Sequence, residues 1–272
     1  MKLTLLMDSN TLIDRYYKAE PAFACHIQDG PFSLLLDTGY SAQTAENAAA
    51  LGVDLAALDA VALSHGHNDH TGGLPALLAL PRAPGKPPLR LAAHPAALEP
   101  KEHEGHSIGC PLTKEELAAR CTLELSAEPQ QLTRSLTLLG RIPRVVPFEE
   151  PRAIGRRRGN GVWLPDQLPD DTALCCRTPA GVFVVTGCAH SGLCNILTRA
   201  RQCFPGQPIT GVLGGFHLLG DDPRTAPTAA WLKEQRIPAL YPCHCTGLAA
   251  RAALMAAGLR VTETGVGFTL EL

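Results

Sequence analysis

VALSHGHNDHTGG, residues 61–73, sets four candidate metal ligands, His65, His67, Asp69 and His70, within six positions, between an apolar run and a glycine pair. Alternate residues of an extended chain share a face, so His65 and His67 can aim at one point. Asp69 and His70 follow around the turn and face a second point. Four ligands in so short a span suit two adjacent metals sharing a water, because a two-metal site activates water and clamps the developing oxyanion. A lone His-X-His is often a surface run, whereas this longer pattern at the end of an apolar segment matches the ligand preferences of zinc-type metals. Gly72 and Gly73 let the next helix start close to the site, with its N-terminus favouring anions.

Outward from this loop, 31–37, 59–63 and 88–93 read as strands, 41–51 as a helix, and a further helix opens at Leu74-Pro75. Residues 81–88 are a Pro-rich connection and 99–112 a polar loop. Short strands separated by Pro and Gly are expected over 122–150, then an exposed basic loop over 152–160. Residues 172–187 predict a hairpin turning at Pro179-Ala180-Gly181. Beyond it, helices at 191–203, 225–235 and 246–257 alternate with strands at 209–213 and 237–242, and a last strand covers 266–272. Strands first, then strand and helix in alternation, predict an α/β fold built in layers. No linker interrupts the pattern, so residues 1–272 are expected to form a single domain.

Bulk properties narrow the function classes. The 272 residues are 45% hydrophobic and carry a formal net charge of −2, with a mean hydropathy of +0.03. That balance gives no electrostatic reason for a nucleic-acid or membrane partner. No apolar run reaches the roughly 18–20 residues that span a bilayer, and the N-terminus lacks a signal-peptide pattern. A cytoplasmic location is expected. The ten cysteines are then read as reduced, mostly buried thiols.

The motif LSHGHNDHTGG (63–73), with LLDTG (35–39) before it, resembles the metallo-β-lactamase-fold superfamily. VVTGCAHSGLCNIL (184–197), GVLGGFHLLG (211–220), YPCHCTG (241–247) and the GRIPR...PFEE segment (140–150) are similar to one subgroup of it, named for dihydropterin ribofuranosyl-aminobenzene phosphate synthase. The resemblance implies an αββα sandwich with metals at one edge. It also implies that Asp37 supports the metal loop from behind, since such partners orient histidine ligands.

A di-metal centre needs further ligands. By the resemblance, His190 completes the His65/His67 metal, and His244, after the apolar strand IPALY, completes the Asp69/His70 metal. Cys188 stands where the superfamily brings a bridging carboxylate; either it ligates a metal or it is buried beneath the site. His217 ends GGFH as a metal-neighbouring or a structural histidine. His94 falls outside the metal shell, and His103 and His106 are expected in solvent. Cys243 and Cys245 should point away from His244 by alternation.

The expected cofactor is two divalent metals, zinc first, with iron or manganese as alternatives. The expected function is a hydrolase in which metal-activated water attacks a small-molecule substrate, Asp69 being catalytic as well as a ligand. The subgroup implies a phosphorylated, pterin-like substrate, with Arg156, Arg157 and Arg158 as a phosphate contact or simply a solvated face. Two other readings stand beside it: an iron-dependent redox protein on the same fold, and a non-catalytic metal-binding or regulatory protein. The sequence leaves the oligomeric state open.

Overall fold

The computed structural model describes residues 1–272. In chain order its strands are β1 (Lys2–Met7), β2 (Ala24–Asp29), β3 (Phe32–Leu36), β4 (Ala60–Ala62), β5 (Leu89–Ala93), β6 (Lys101–His103), β7 (His106–Ser107), β8 (Cys121–Leu125), β9 (Gln130–Gln131), β10 (Leu136–Leu138), β11 (Arg156–Gly159), β12 (Val162–Pro165), β13 (Ala173–Thr178), β14 (Gly181–Thr186), β15 (Ile209–Gly214), β16 (Leu240–Pro242) and β17 (Thr269–Glu271). The helices are α1 (Gln43–Ala50), α2 (Asn68–Thr71), α3 (Leu74–Ala79), α4 (Lys114–Ala118), α5 (Leu193–Cys203), α6 (Thr225–Glu234) and α7 (Leu248–Ala256). None is long and apolar enough to cross a membrane.

The chain divides into two compact units. The first comprises Met1–Ala127, Ala153–Asp170 and Gly265–Leu272. Its main sheet has seven strands in the order β17-β1-β2-β3-β4-β5-β8. The β17 to β3 half is antiparallel, and β3, β4, β5 and β8 run parallel. Leu35, Val61, Leu74, Leu91 and Leu117 belong to one buried cluster here. Burying each such side chain contributes about 1.5–3 kcal/mol. A small antiparallel sheet, β12-β11-β6-β7, completes the unit.

The second unit, Glu128–Arg152 and Asp171–Thr264, holds a six-stranded sheet in the order β16-β15-β14-β13-β10-β9. The predicted hairpin forms: β13 pairs antiparallel with β14 through Thr178↔Gly181. β14, GVFVVT, is buried throughout, as an apolar run in a parallel sheet should be, and β14, β15 and β16 are parallel. Val184, Ile196, Val212, Leu232 and Leu240 lie in this unit's own core.

Two expectations fail locally. The polar stretch 99–112 contains β6 and β7, and the basic stretch 152–160 contains β11, which pairs with β12 and β6. Their strands are held by charge pairs and turns rather than by an apolar face. Arg157 Nη1 lies 2.5 Å from Glu99 Oε2, Arg156 Nη1 lies 3.6 Å from Glu102 Oε1, and the Arg156 guanidinium sits 5.8 Å from the Trp163 ring centre. Arg156 and Arg157 are thus paired with acids on or just before β6.

Candidate metal centre

In each unit the candidate ligands follow the carboxyl ends of parallel strands, where open α/β sheets place their sites. In the first unit, Asp37 follows β3, and Ser64, His65 and His67 follow β4. His67 is the N-cap of α2, which carries Asp69 and His70. His65 and His70 are fully buried and His67 nearly so, while the Asp69 side chain is 26% exposed.

Hydrogen bonding fixes how this loop presents its rings. The buried Asp37 carboxylate accepts from Ser64 N at 2.7 Å, from Ser64 Oγ at 2.6 Å and from His70 Nδ1 at 2.7 Å. Ser64 has one hydroxyl proton, and Asp37 takes it. The 3.1 Å contact between Ser64 Oγ and His65 Nδ1 therefore runs with His65 as donor. Both His65 and His70 are then left with Nε2 as the metal-facing nitrogen.

The electrostatics fit a cation. Burial works against a charged His70, but Asp69 and Asp37 outweigh it and hold its pKa well above the ordinary value. His70 Nε2 lies 3.4 Å from Asp69 Oδ2, so this spot attracts positive charge. Burial lowers the pKa of His67 to about 4, which keeps it neutral, as a ligand must be. Ring centres lie 4.7 Å apart for His65 and His67 and 4.1 Å for His65 and His70. Donor atoms of His65 and His67 lie within 4.8 Å of each other, as do those of Asp69 and His70.

A second carboxylate grips the same loop, and sequence reading missed it. Gly66 N donates to Asp170 Oδ2 at 2.8 Å, and Lys101 Nζ, fully buried, lies 3.2 Å from Asp170 Oδ1 and 2.7 Å from Asp166 Oδ2. Burial would raise the Asp170 pKa, but Lys101 foremost holds it below the usual range. The glycines of the motif are steric necessities. A Cβ on Gly66 would meet Ala97 O at 2.1 Å, and one on Gly73 would meet Thr38 O at 2.0 Å.

In the second unit, Cys188 and His190 follow β14, His217 follows β15 and His244 follows β16. The three loops lie side by side: Gly215 N donates to Gly187 O at 2.9 Å and Phe216 N to Thr246 Oγ1 at 2.9 Å. Cys188 is 4% exposed, and its Sγ is 3.1 Å from His244 Nε2. The His190 and His217 rings lie 4.4 Å apart. Asp171 accepts from His190 N at 3.2 Å and Ser191 N at 2.8 Å. Buried Glu149 accepts from Cys194 N and Asn195 N at the start of α5, fixing the far end of the His190 loop.

Cys245 corrects the alternation argument. Its Sγ lies 3.5 Å from Cys188 O. Burial would raise its pKa, but the Cys188 side chain, His244 and His217 hold it at about 5. Alternation fails because the backbone is not extended here: His244 has φ of 47° and His217 of 48°. Asp37 shares this left-handed conformation at 57°, which costs a non-glycine residue roughly 1–2 kcal/mol. Such outliers persist where packing and hydrogen bonds impose them.

His94, His103 and His106 are not among the clustered donors. His94 Nδ1 accepts from Ala96 N at 3.1 Å, capping its own turn. His103 and His106 are exposed on β6 and β7.

Strand-end histidines, an internal carboxylate behind them and a parallel-strand scaffold define a metallohydrolase-type α/β protein. Residues 27–244 match the family model described as the metallo-beta-lactamase superfamily, and the chain belongs to that superfamily and has its fold. It is similar over its whole length to the crystal structure of Tm1679, a metal-dependent hydrolase of the beta-lactamase superfamily, with a TM-score of 0.83, 28% identity and 99% of that chain covered. Two proteins of Methanocaldococcus jannaschii are also similar. One is the uncharacterized protein MJ0448, 30% identical over 250 residues and 91% of each chain. The other is 7,8-dihydropterin-6-methyl-4-(beta-D-ribofuranosyl)-aminobenzene-5'-phosphate synthase, 29% identical over 235 residues, 82% of this chain and 78% of that one.

Proposed function

We propose that this protein is a divalent-metal hydrolase acting on a phosphorylated, pterin-like small molecule, with residues 1–272 working as one domain. His65, His67, Asp69, His70, His190 and His244 are the proposed ligands of two metals, and Cys188 is a further ligand. The observation that carries the reading is the Asp37 carboxylate, buried and shared between His70 Nδ1 and Ser64, which turns two imidazoles outward by Nε2. Imidazole, carboxylate and thiolate donors together favour zinc, with iron or manganese next, over magnesium or calcium. The substrate class is supported by the similarity to the dihydropterin-linked phosphate synthase.

When bound, such ions act as Lewis acids that polarise a phosphoryl oxygen and make water acidic near neutral pH. The protein's own part is to hold geometry and move the proton. Asp37 and Ser64 lock His70 and His65 in one tautomer. Asp69, the most exposed of the motif's four side chains, accepts the proton of the attacking water. Asp170 and Asp171 fix the backbone of the two ligand loops, each within its own unit.

The reading is tested by element analysis of the purified protein with a phosphomonoester and phosphodiester screen, repeated on Asp37→Asn. The expected result is two metal equivalents and phosphoesterase turnover in the parent, with at least one equivalent lost and turnover reduced about 10–100-fold in the variant. A parent that binds no metal, or a metal-loaded parent inert to every phosphoester, overturns it.

A further inference from the structure

The polar end of the first unit's main sheet carries a cavity of about 550 Å3 that the metal loop does not use. It touches Ser33, at the start of β3, whereas Asp37 follows the other end of that strand, some ~13 Å away at the rise of an extended chain. The volume is that of a small-molecule site.

Its floor is unusual for a sheet face. Register places Lys2 opposite Gln28, Thr4 opposite His26, and Gln28 opposite Ser33, so the side chains of three neighbouring strands share one side. Thr4, His26 and Ser33 are buried there, although buried polar groups are costly unless satisfied. His26 Nε2 and Ser33 Oγ bond at 2.9 Å. Farther along the same strands, Leu6 and Leu35 are in the apolar cluster. The chain therefore maintains a polar floor where continued apolar alternation would have closed the cavity.

The rim is cationic. Lys2, Arg15 and Lys86 line the cavity with one acid, Asp54. Asp54 Oδ1 is engaged as the cap of the turn at Leu55–Ala57, accepting from Ala56 N. Lys86 Nζ is paired with Asp59 at 2.7 Å. Lys2 and Arg15 form no ion pair within 4.0 Å, so two cations with long, exposed side chains remain for a ligand. Burial, with Lys2, lowers the His26 pKa to about 4, leaving a neutral hydrogen-bonding ring rather than a third charge.

We propose that this cavity is a second binding site, separate from the metal centre, for a small phosphate or diphosphate ester. Lys2 and Arg15 hold its anionic group, and the hydroxyls of Thr4 and Ser33 with His26 contact its polar remainder. The proposal does not depend on the hydrolase reading.

The probe is inorganic pyrophosphate, titrated by calorimetry into the full chain. Three proteins are compared: the parent, a Lys2→Gln/Arg15→Gln double variant, and His65→Ala/Asp69→Ala, which removes proposed metal ligands. Retained affinity in His65→Ala/Asp69→Ala, with a loss of about tenfold or more in Lys2→Gln/Arg15→Gln, supports the site, each tenfold being 1.4 kcal/mol. Both altered rim residues are exposed, and a thermal melt matching the parent shows that the double variant is folded. Binding that vanishes with His65→Ala/Asp69→Ala, is unmoved by Lys2→Gln/Arg15→Gln, or is absent from the parent up to about 10 mM overturns it.

Discussion

Asp170 shows how a single carboxylate can govern a ligand loop through its backbone. It accepts the Gly66 N–H between the two histidines and faces buried Lys101. Asp170→Asn keeps an acceptor for Gly66 but leaves Lys101 with Asp166 alone. Removing one partner of a buried charge network costs about 3–5 kcal/mol; the remaining Asp166 lowers the expected loss to about 2–3 kcal/mol. Urea unfolding checks that figure, and element analysis should show metal retention falling with it. An unchanged urea midpoint would reduce Asp170 to a bystander. At this scale, sequence legibility was uneven. Asp37 was readable because it sits in LLDTG before the histidine motif. Asp170 is 104 residues from Gly66, and nothing local separates it from any surface acid. Cys245 was misread because the alternation rule assumes extended backbone, and His244 is left-handed.

At the level of elements, the turn between β4 and α2 is held by close backbone approach as well as by side chains. Gly66→Ala would place a methyl 2.1 Å from Ala97 O. The obstacle is backbone rather than a flexible side-chain end, so the loop itself must move. The expected cost is about 1–3 kcal/mol, in the range of overpacked cores. Metal content should drop while far-UV circular dichroism stays at the parent value; full metal retention with a parental melt would show that the loop has slack. Elements with strong apolar periodicity or clear turn chemistry were legible: β3, the β13–β14 hairpin and α5 all form within two residues of their expected ends. β6, β7 and β11 were not, because charged side chains hold them and they have no apolar stripe to read. β1 and β2 were not assigned from the sequence, although Asp8-Ser9-Asn10 follows β1 and Asp29-Gly30 turns β2 into β3.

Across the whole molecule, acid should be the disruptive direction. His26 and His67 have pKa values lowered to about 4 from 6.5, so between those values the unfolded chain binds more protons than the folded one. Their contribution to stability is complete above pH 6.5 and is lost as pH falls toward 4. His70 works the other way. Its raised pKa gives stability that is full below 6.5 and is lost as pH rises through the folded value. Below pH 6.5 the His70 contribution is already full, so further acidification toward pH 4 removes only the His26 and His67 contributions, and His26 allows a clean test because it lies away from the metal loop. The fall from 6.5 to about 4 corresponds to about 3.4 kcal/mol at most. The urea midpoint of the parent should therefore drop between pH 7 and pH 4, and His26→Gln, which cannot titrate, should flatten that drop by up to the same amount. Parallel pH profiles for the two proteins would mean that His26 takes up its proton in the folded state as readily as in the unfolded one, and that its floor position is open to water.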